Sequence, residues 1–394
     1  MSYETGRRQS TPSTSKSRRR RWVFRSLALL LGLTSSLIAL EVAVRLYSPF
    51  AMRIRGSRIN LPVNTTTVIF NNDIKKLDVE VTQTRNAIGF RGSDPPADLA
   101  DRVSIVAVGG STTECFYLSD EKTWPAQLEH RLAPQFTNIW INNAGLDGHS
   151  TYGHLHLLNQ YLATLRPKVV LYLIGLNDVG TDRPLIFDEN LQRIAGTEGS
   201  IAKRSYLFFV ENTATCALFD NFRRQRQASQ AGVTHGDVNH HELRVAAQQS
   251  VIVTSEDRAA LLQEHRSQYL SAYEQRVRML IRATRTQQIQ PVLITQPALY
   301  GPTTDPVTGV NLGEIRVGEF NGEVRWEIVE LYNDVTRLVS SEEDVWLIDL
   351  ASEFPKDSSL YYDFHHFTND GASRVADIVA AGLKPFLSQH FDMP

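Results

Sequence analysis

From Ser26 to Val44 the chain is apolar apart from small hydroxyls and Glu41 near the end. After that, apolar positions fall into short runs separated by polar turns. Ser104 to Val108, Ile139 to Ile141, Val169 to Ile174, Pro291 to Thr295 and Val345 to Leu350 are such runs. They are rich in β-branched residues, the pattern of strands buried on both faces of a parallel sheet. Between them the spacing becomes helical. Trp124, Leu128 and Leu132 share one face after Thr123-Trp-Pro, where Thr caps and Pro125 occupies the first turn. Further helices are predicted over 152–165, 257–286, 324–339 and 371–387, the second with Leu262, Tyr269, Leu270, Tyr273, Val277, Leu280 and Ile281 on its apolar face. This alternation predicts an α/β fold, a three-layer α/β/α sandwich around about five parallel strands, spanning residues 103–390.

The first apolar stretch is just long enough, at about 1.5 Å per residue, to cross a ~30 Å hydrocarbon core. Eight Lys and Arg against Glu4 in residues 1–25 give a local charge of +7, and the net charge of -2 leaves the remainder at -9. Residues 1–25 therefore read as a basic tail held in the cytoplasm and disordered over 1–21, 26–47 as an uncleaved single-pass transmembrane anchor, and everything beyond as extracytoplasmic, periplasmic or at the cell surface. A cleavable signal peptide is the competing reading, but no convincing small-x-small cleavage site precedes Ser48. The residues flanking Arg20-Arg21 fit a twin-arginine signal poorly. The acidic body argues against nucleic acid as a partner.

Residues 48–102, broken by Pro49, Pro62 and Pro95-Pro96, read as a linker and domain entry, with Asn86 to Gly92 as a packed turn. Residues 183–256 lack steady periodicity and read as an insertion or lid over the sheet edge. His235, His240 and His241 within it read as a solvated loop, with no second cluster at metal-ligand spacing. Cys115 and Cys216 are too few for a disulfide framework, and whether they pair is open.

Candidate chemistry gathers at three strand ends and in one late loop. Gly109-Gly110 turn the first strand into Ser111, a candidate nucleophile at the edge where open α/β sheets bind ligands. Acyl transfer by serine also needs a base, a group orienting that base, and donors for the oxyanion. Asp363-Phe-His-His366 supplies a carboxylate and an imidazole; His366 is assigned as base and Asp363 as the group fixing its tautomer. His365 is the rival, directed away from Asp363 in extended backbone. The N–H groups of Ser111 and Gly148 and the amide of Asn177 are the candidate oxyanion-hole donors. Phe116 and Tyr117 are candidate pocket residues.

These blocks resemble the SGNH hydrolases, or GDSL-type esterases and lipases: Gly109-Gly110-Ser111-Thr112-Thr113, Gly145-Leu-Asp-Gly148, Gly175-Leu-Asn177-Asp178 and Asp363-Phe-His-His366-Phe-Thr368. Gly110 stands where the eponymous Asp often precedes the serine. The resemblance, to a membrane-anchored bacterial-type member, covers roughly residues 86–388 and implies a flavodoxin-like sheet and a serine ester hydrolase. It gives the same catalytic roles to Ser111, Asp363 and His366, with Gly148 and Asn177 in the oxyanion hole, and needs no metal or organic cofactor. The expected substrate is a small-molecule or polysaccharide ester. An O-acyltransferase or deacetylase of cell-surface polysaccharide is the alternative within this chemistry, and a non-catalytic binding or assembly protein is the alternative outside it. A metallohydrolase ranks last.

Overall fold

Five parallel strands lie side by side: β1 (Val103–Gly109), β2 (Ile139–Asn143), β3 (Val169–Leu173), β4 (Gln290–Ile294) and β5 (Trp346–Ile348), in the order β5-β4-β3-β1-β2. The computed structural model describes residues 14–47, 53–189, 191, 200–230 and 235–391. Every residue of β1, β2 and β3 is buried. Successive side chains leave a strand on opposite faces, so Ile105 and Ala107 pack into one helical layer, and Val106 and Val108 into the other. The first layer holds α3 (Trp124–Leu132) and α11 (Asn369–His390); the second holds α4 (Thr151–Leu157), α9 (Leu270–Thr286) and α10 (Gly322–Glu342).

This strand order has a consequence for function. The chain leaves β1 toward β2 on one side and returns through β3 on the other, and ligands bind at such a switch point, beyond the strands' carboxyl ends. Ser111 and Asn177 follow β1 and β3, whose ends are in register at Gly109 and Leu173.

Two expectations require correction. Helix α1 (Thr14–Tyr47) begins well before the apolar run, so Arg18 to Arg21 are helical rather than part of a disordered tail. Arginine is a good helix former, and extending a nucleated helix costs little. Residues 1–13 of that tail lie outside the described residues, as do 48–52 of the expected linker and 190, 192–199 and 231–234 of the insertion. From residue 53 onward the supposed linker is folded: an antiparallel hairpin pairs Thr65–Phe70 with Glu80–Arg85, and Ile54, Ile59, Leu61 and Phe90 join the core beside Val106 and Val108. Its threonine-rich outer strand is largely exposed and gives no apolar period. The helix expected over 257–286 is a continuous helical run, α8 (Ser255–Glu264) and α9 joined through a π turn at His265–Tyr269.

The insertion is mostly helical: α5 (Ile201–Asn212), α6 (Ala214–Gln230) and α7 (His240–Gln248). Both cysteines are free, Cys115 in the core and Cys216 partly exposed on α6.

Candidate active site

The turn after β1 continues into a single helical turn, α2 (Ser111–Glu114), with Gly110 as its cap. It is pinned from several sides. Buried Arg91 donates to the carbonyls of Glu114 (2.6 Å), Cys115 (2.9 Å) and Leu118 (2.6 Å), and pairs with Asp120 at 2.7 Å. Asn143 donates to the carbonyl of Thr113 at 2.7 Å, and the Trp124 indole N–H to that of Thr112 at 3.2 Å. Ser111 is thus a buried hydroxyl on an immobilised turn, only 8% exposed.

His366 Nε2 lies 2.7 Å from Ser111 Oγ, and His366 Nδ1 lies 2.6 Å from Asp363 Oδ2. The backbone N–H groups of His365 and His366 both donate to Asp363 Oδ1 at 2.8 Å, closing a tight turn that fixes the carboxylate. With Asp363 ionised, Nδ1 carries the proton and Nε2 accepts from the serine hydroxyl. Burial alone would lower the pKa of His366, but the charge and hydrogen bond of Asp363, with the charge of Asp147, raise it. Burial likewise opposes ionisation of Asp363, yet His366 and the backbone donors hold its carboxyl well below the usual range. His365 points elsewhere, to the Tyr300 hydroxyl at 3.0 Å, and burial pushes its pKa down to about 3.

The backbone N–H groups of Ser111 and Gly148 donate to no acceptor among the described residues, and both residues border the same cleft. Asn177 spends one amide hydrogen on the carbonyl of His149, at 2.9 Å, and has a second available. Two glycines make room. A Cβ on Gly110 would stand 2.3 Å from Asn177 Nδ2, so an Asp at this position would displace that amide. Gly148 has φ +74°, and a Cβ there would stand 2.3 Å from the Phe187 ring.

Sequence reasoning missed the surroundings. His235, expected in a solvated loop, sits with its ring centroid 4.3 Å from that of His366. Its Nδ1 meets the Tyr362 hydroxyl at 2.7 Å and its Nε2 meets Asp147 at 3.3 Å. The N–H of Gly236 donates to Asp363 at 3.3 Å. His241 is exposed at the start of α7. Arg53 pairs with Glu114 at 2.8 Å, and Glu114 accepts from the N–H of Asp147 at 2.6 Å, tying the domain entry to the Gly148 loop. Tyr117 packs edge-on against His235 at 5.2 Å, and Phe116 lies tilted against it at 5.9 Å. Asp147 carried a signal in the sequence through its glycine-flanked block, and Phe116 and Tyr117 through their place just after Ser111; His235, Gly236 and Arg53 carried none. His235, Asp363 and His366 bring possible metal-ligand atoms within 4.8 Å of one another, but the ring nitrogens and the carboxylate are already engaged in the hydrogen bonds above.

A doubly wound sheet with a serine, an imidazole and a carboxylate at its switch point defines a class of α/β hydrolytic enzymes. The chain belongs to the GDSL-like Lipase/Acylhydrolase family, whose model matches residues 107–374, and it is an ester-bond hydrolase. No curated protein sequence matches it. Among solved structures, the acetylxylan esterase Axe2 from Geobacillus stearothermophilus is similar at 15% identity and a TM-score of 0.39, over 74% of this chain and 95% of that one. The lipase/acylhydrolase from Enterococcus faecalis is similar at 14% identity and a TM-score of 0.38, over 72% of this chain and 96% of that one.

Proposed function

We propose that the protein is a membrane-anchored serine esterase working outside the cytoplasm, with Ser111 as nucleophile, His366 as base and Asp363 as the group that orients it. The observation that carries this is the unbroken chain from Asp363 Oδ2 through His366 to Ser111 Oγ, with both links under 2.8 Å. Ser111 Oγ attacks the ester carbonyl while His366 Nε2 takes its proton. The N–H groups of Ser111 and Gly148 and the free amide hydrogen of Asn177 stabilise the oxyanion, and its collapse releases the alcohol, protonated by His366. Water, activated by the same imidazole, then attacks the acyl-serine, and the acid leaves with Ser111 regenerated. Helix α1 supports the location, being long and apolar enough over Arg19–Tyr47 to cross a membrane. Hydrolysis of 4-nitrophenyl acetate by the full chain tests the chemistry. Ser111→Ala is expected to lower kcat by about 10⁶-fold; unchanged turnover would remove Ser111 from the mechanism.

A further inference from the structure

We propose that the α5–α6 hairpin of the insertion lies in the membrane interface, with its phenylalanine-bearing surface in the lipid and the cleft wall held at its far end. The inference rests on the reading of α1 as a membrane-spanning anchor. Helices α5 and α6 are joined through Thr213, and α1 holds that bend. Glu41 Oε1 accepts from the N–H of Ala214 at 2.7 Å, and Oε2 accepts from the N–H and hydroxyl of Thr215, both at 2.9 Å. Arg45 pairs with Glu41 at 2.7 Å and donates to the carbonyl of Asn212 at 3.0 Å. Glu41 thereby caps the start of α6, where a carboxylate is favoured. This accounts for an acidic residue inside an otherwise apolar run, since charges near hydrocarbon persist when partnered. Because Glu41 lies one turn before the run ends at Val44, the bend is fixed at the edge of the hydrocarbon.

The surface beside that bend is apolar. Outside α1, every exposed phenylalanine among the described residues except Phe70 lies on this hairpin: Phe208, Phe209, Phe219 and Phe222. Ile201 and Tyr206 are exposed on α5 as well. Exposed Lys203, Arg204 and Arg226 make no ion pair among the described residues and suit anionic headgroups, although the body of the protein is acidic. The occupant inferred is therefore the bilayer that α1 already spans. At the other side of α6, buried Arg224 pairs with Asp220 at 2.9 Å and donates to the carbonyls of Ile186 and Glu189. Ile186 and Phe187 border the cleft over Ser111. The hairpin thus links the bilayer surface to the wall of the active site.

Nitroxide labels on the full chain, reconstituted in phosphatidylcholine–phosphatidylglycerol vesicles, test this. Single cysteines replace Leu30, Phe208, Phe219 and Ile252 in a Cys216→Ser background; Cys115, buried with its thiol pKa pushed up to about 11, stays unlabelled. Circular dichroism checks that each variant folds. Collision with a water-soluble nickel complex should be lost at 30, 208 and 219 while collision with oxygen persists, and should be retained at 252, which is 93% exposed on the body. Loss at 30 with full nickel collision at 208 and 219 would overturn the hairpin proposal and leave the anchor standing. Full collision at 30 as well would overturn the anchor and the hairpin together. Spin–spin broadening between labels at 208 or 219 would show a second copy covering the face instead of lipid, and would also overturn it.

Discussion

Two regions build this site, and they differ in how they come to be there. Ser111 and Asn177 stand on the carboxyl ends of buried strands, and Asp363 and His366 follow the last strand of the same sheet. His235, Phe187 and Arg53 arrive from segments outside the βα repeat, reaching the same few ångströms from the insertion and the domain entry. The sheet fixes where the groups proposed to react stand. The wrapping segments supply walls around them and, through His235, a partner for Asp147. The first contribution is obligatory for any acyl transfer at Ser111 in the proposed roles; the second tunes it.

Substitutions can break that division or sharpen it. The largest effect should come from the two adjacent histidines. His366→Ala is expected to lower kcat by about 10⁶-fold, whereas His365→Phe, which removes a ring bonded to Tyr300 and not to Ser111, should retain turnover. Steady-state kinetics on both variants checks this contrast. Next, Asn177→Ala should cost about 10²- to 10³-fold in kcat with a smaller change in KM, as for the loss of one oxyanion donor.

The wrapping segments should yield smaller effects. His235→Gln removes an imidazole bridging Tyr362 and Asp147. A lost hydrogen bond of about 1 kcal/mol corresponds to roughly a fivefold fall in kcat/KM. A fall as deep as that of His366→Ala would move His235 into the catalytic set and erase the distinction. Asp147 gives a pH test. In its proposed role His366 must be neutral to accept the serine proton, so activity should be lost as pH falls through its raised pKa, placing the acid limb above the ordinary histidine value of about 6.5. The charge of Asp147 contributes to that rise, so Asp147→Asn should shift the acid limb of kcat/KM to lower pH.

The same division explains what could be read from the chain alone. Strands β1 and β3, buried on both faces, write themselves as nearly unbroken apolar runs, β2 does so over Ile139 to Ile141, and the glycine turns after β1 and β3 marked Ser111 and Asn177. Asp363 and His366 were legible because the turn that orients them is local, closed by backbone N–H groups two and three residues away. His235 was not, because its partners Asp147, Tyr362 and His366 lie far off in sequence and no period connects them. Arg91 was hidden for a related reason: it is a buried cation whose partners are mostly backbone carbonyls, which no sequence pattern displays. The Thr65–Phe70 strand was missed because it is largely exposed, so its sequence lacks the alternation that a half-buried strand would show.

The central claim is that Ser111 is an activated nucleophile, and intact-protein mass spectrometry after treatment with a fluorophosphonate tests it most directly. The full chain should gain the mass of one phosphonyl group, mapped to Ser111 by peptide fragmentation, while Ser111→Ala and His366→Ala gain none. A folded wild-type protein that stays unmodified, or an adduct that persists in Ser111→Ala, would contradict the account.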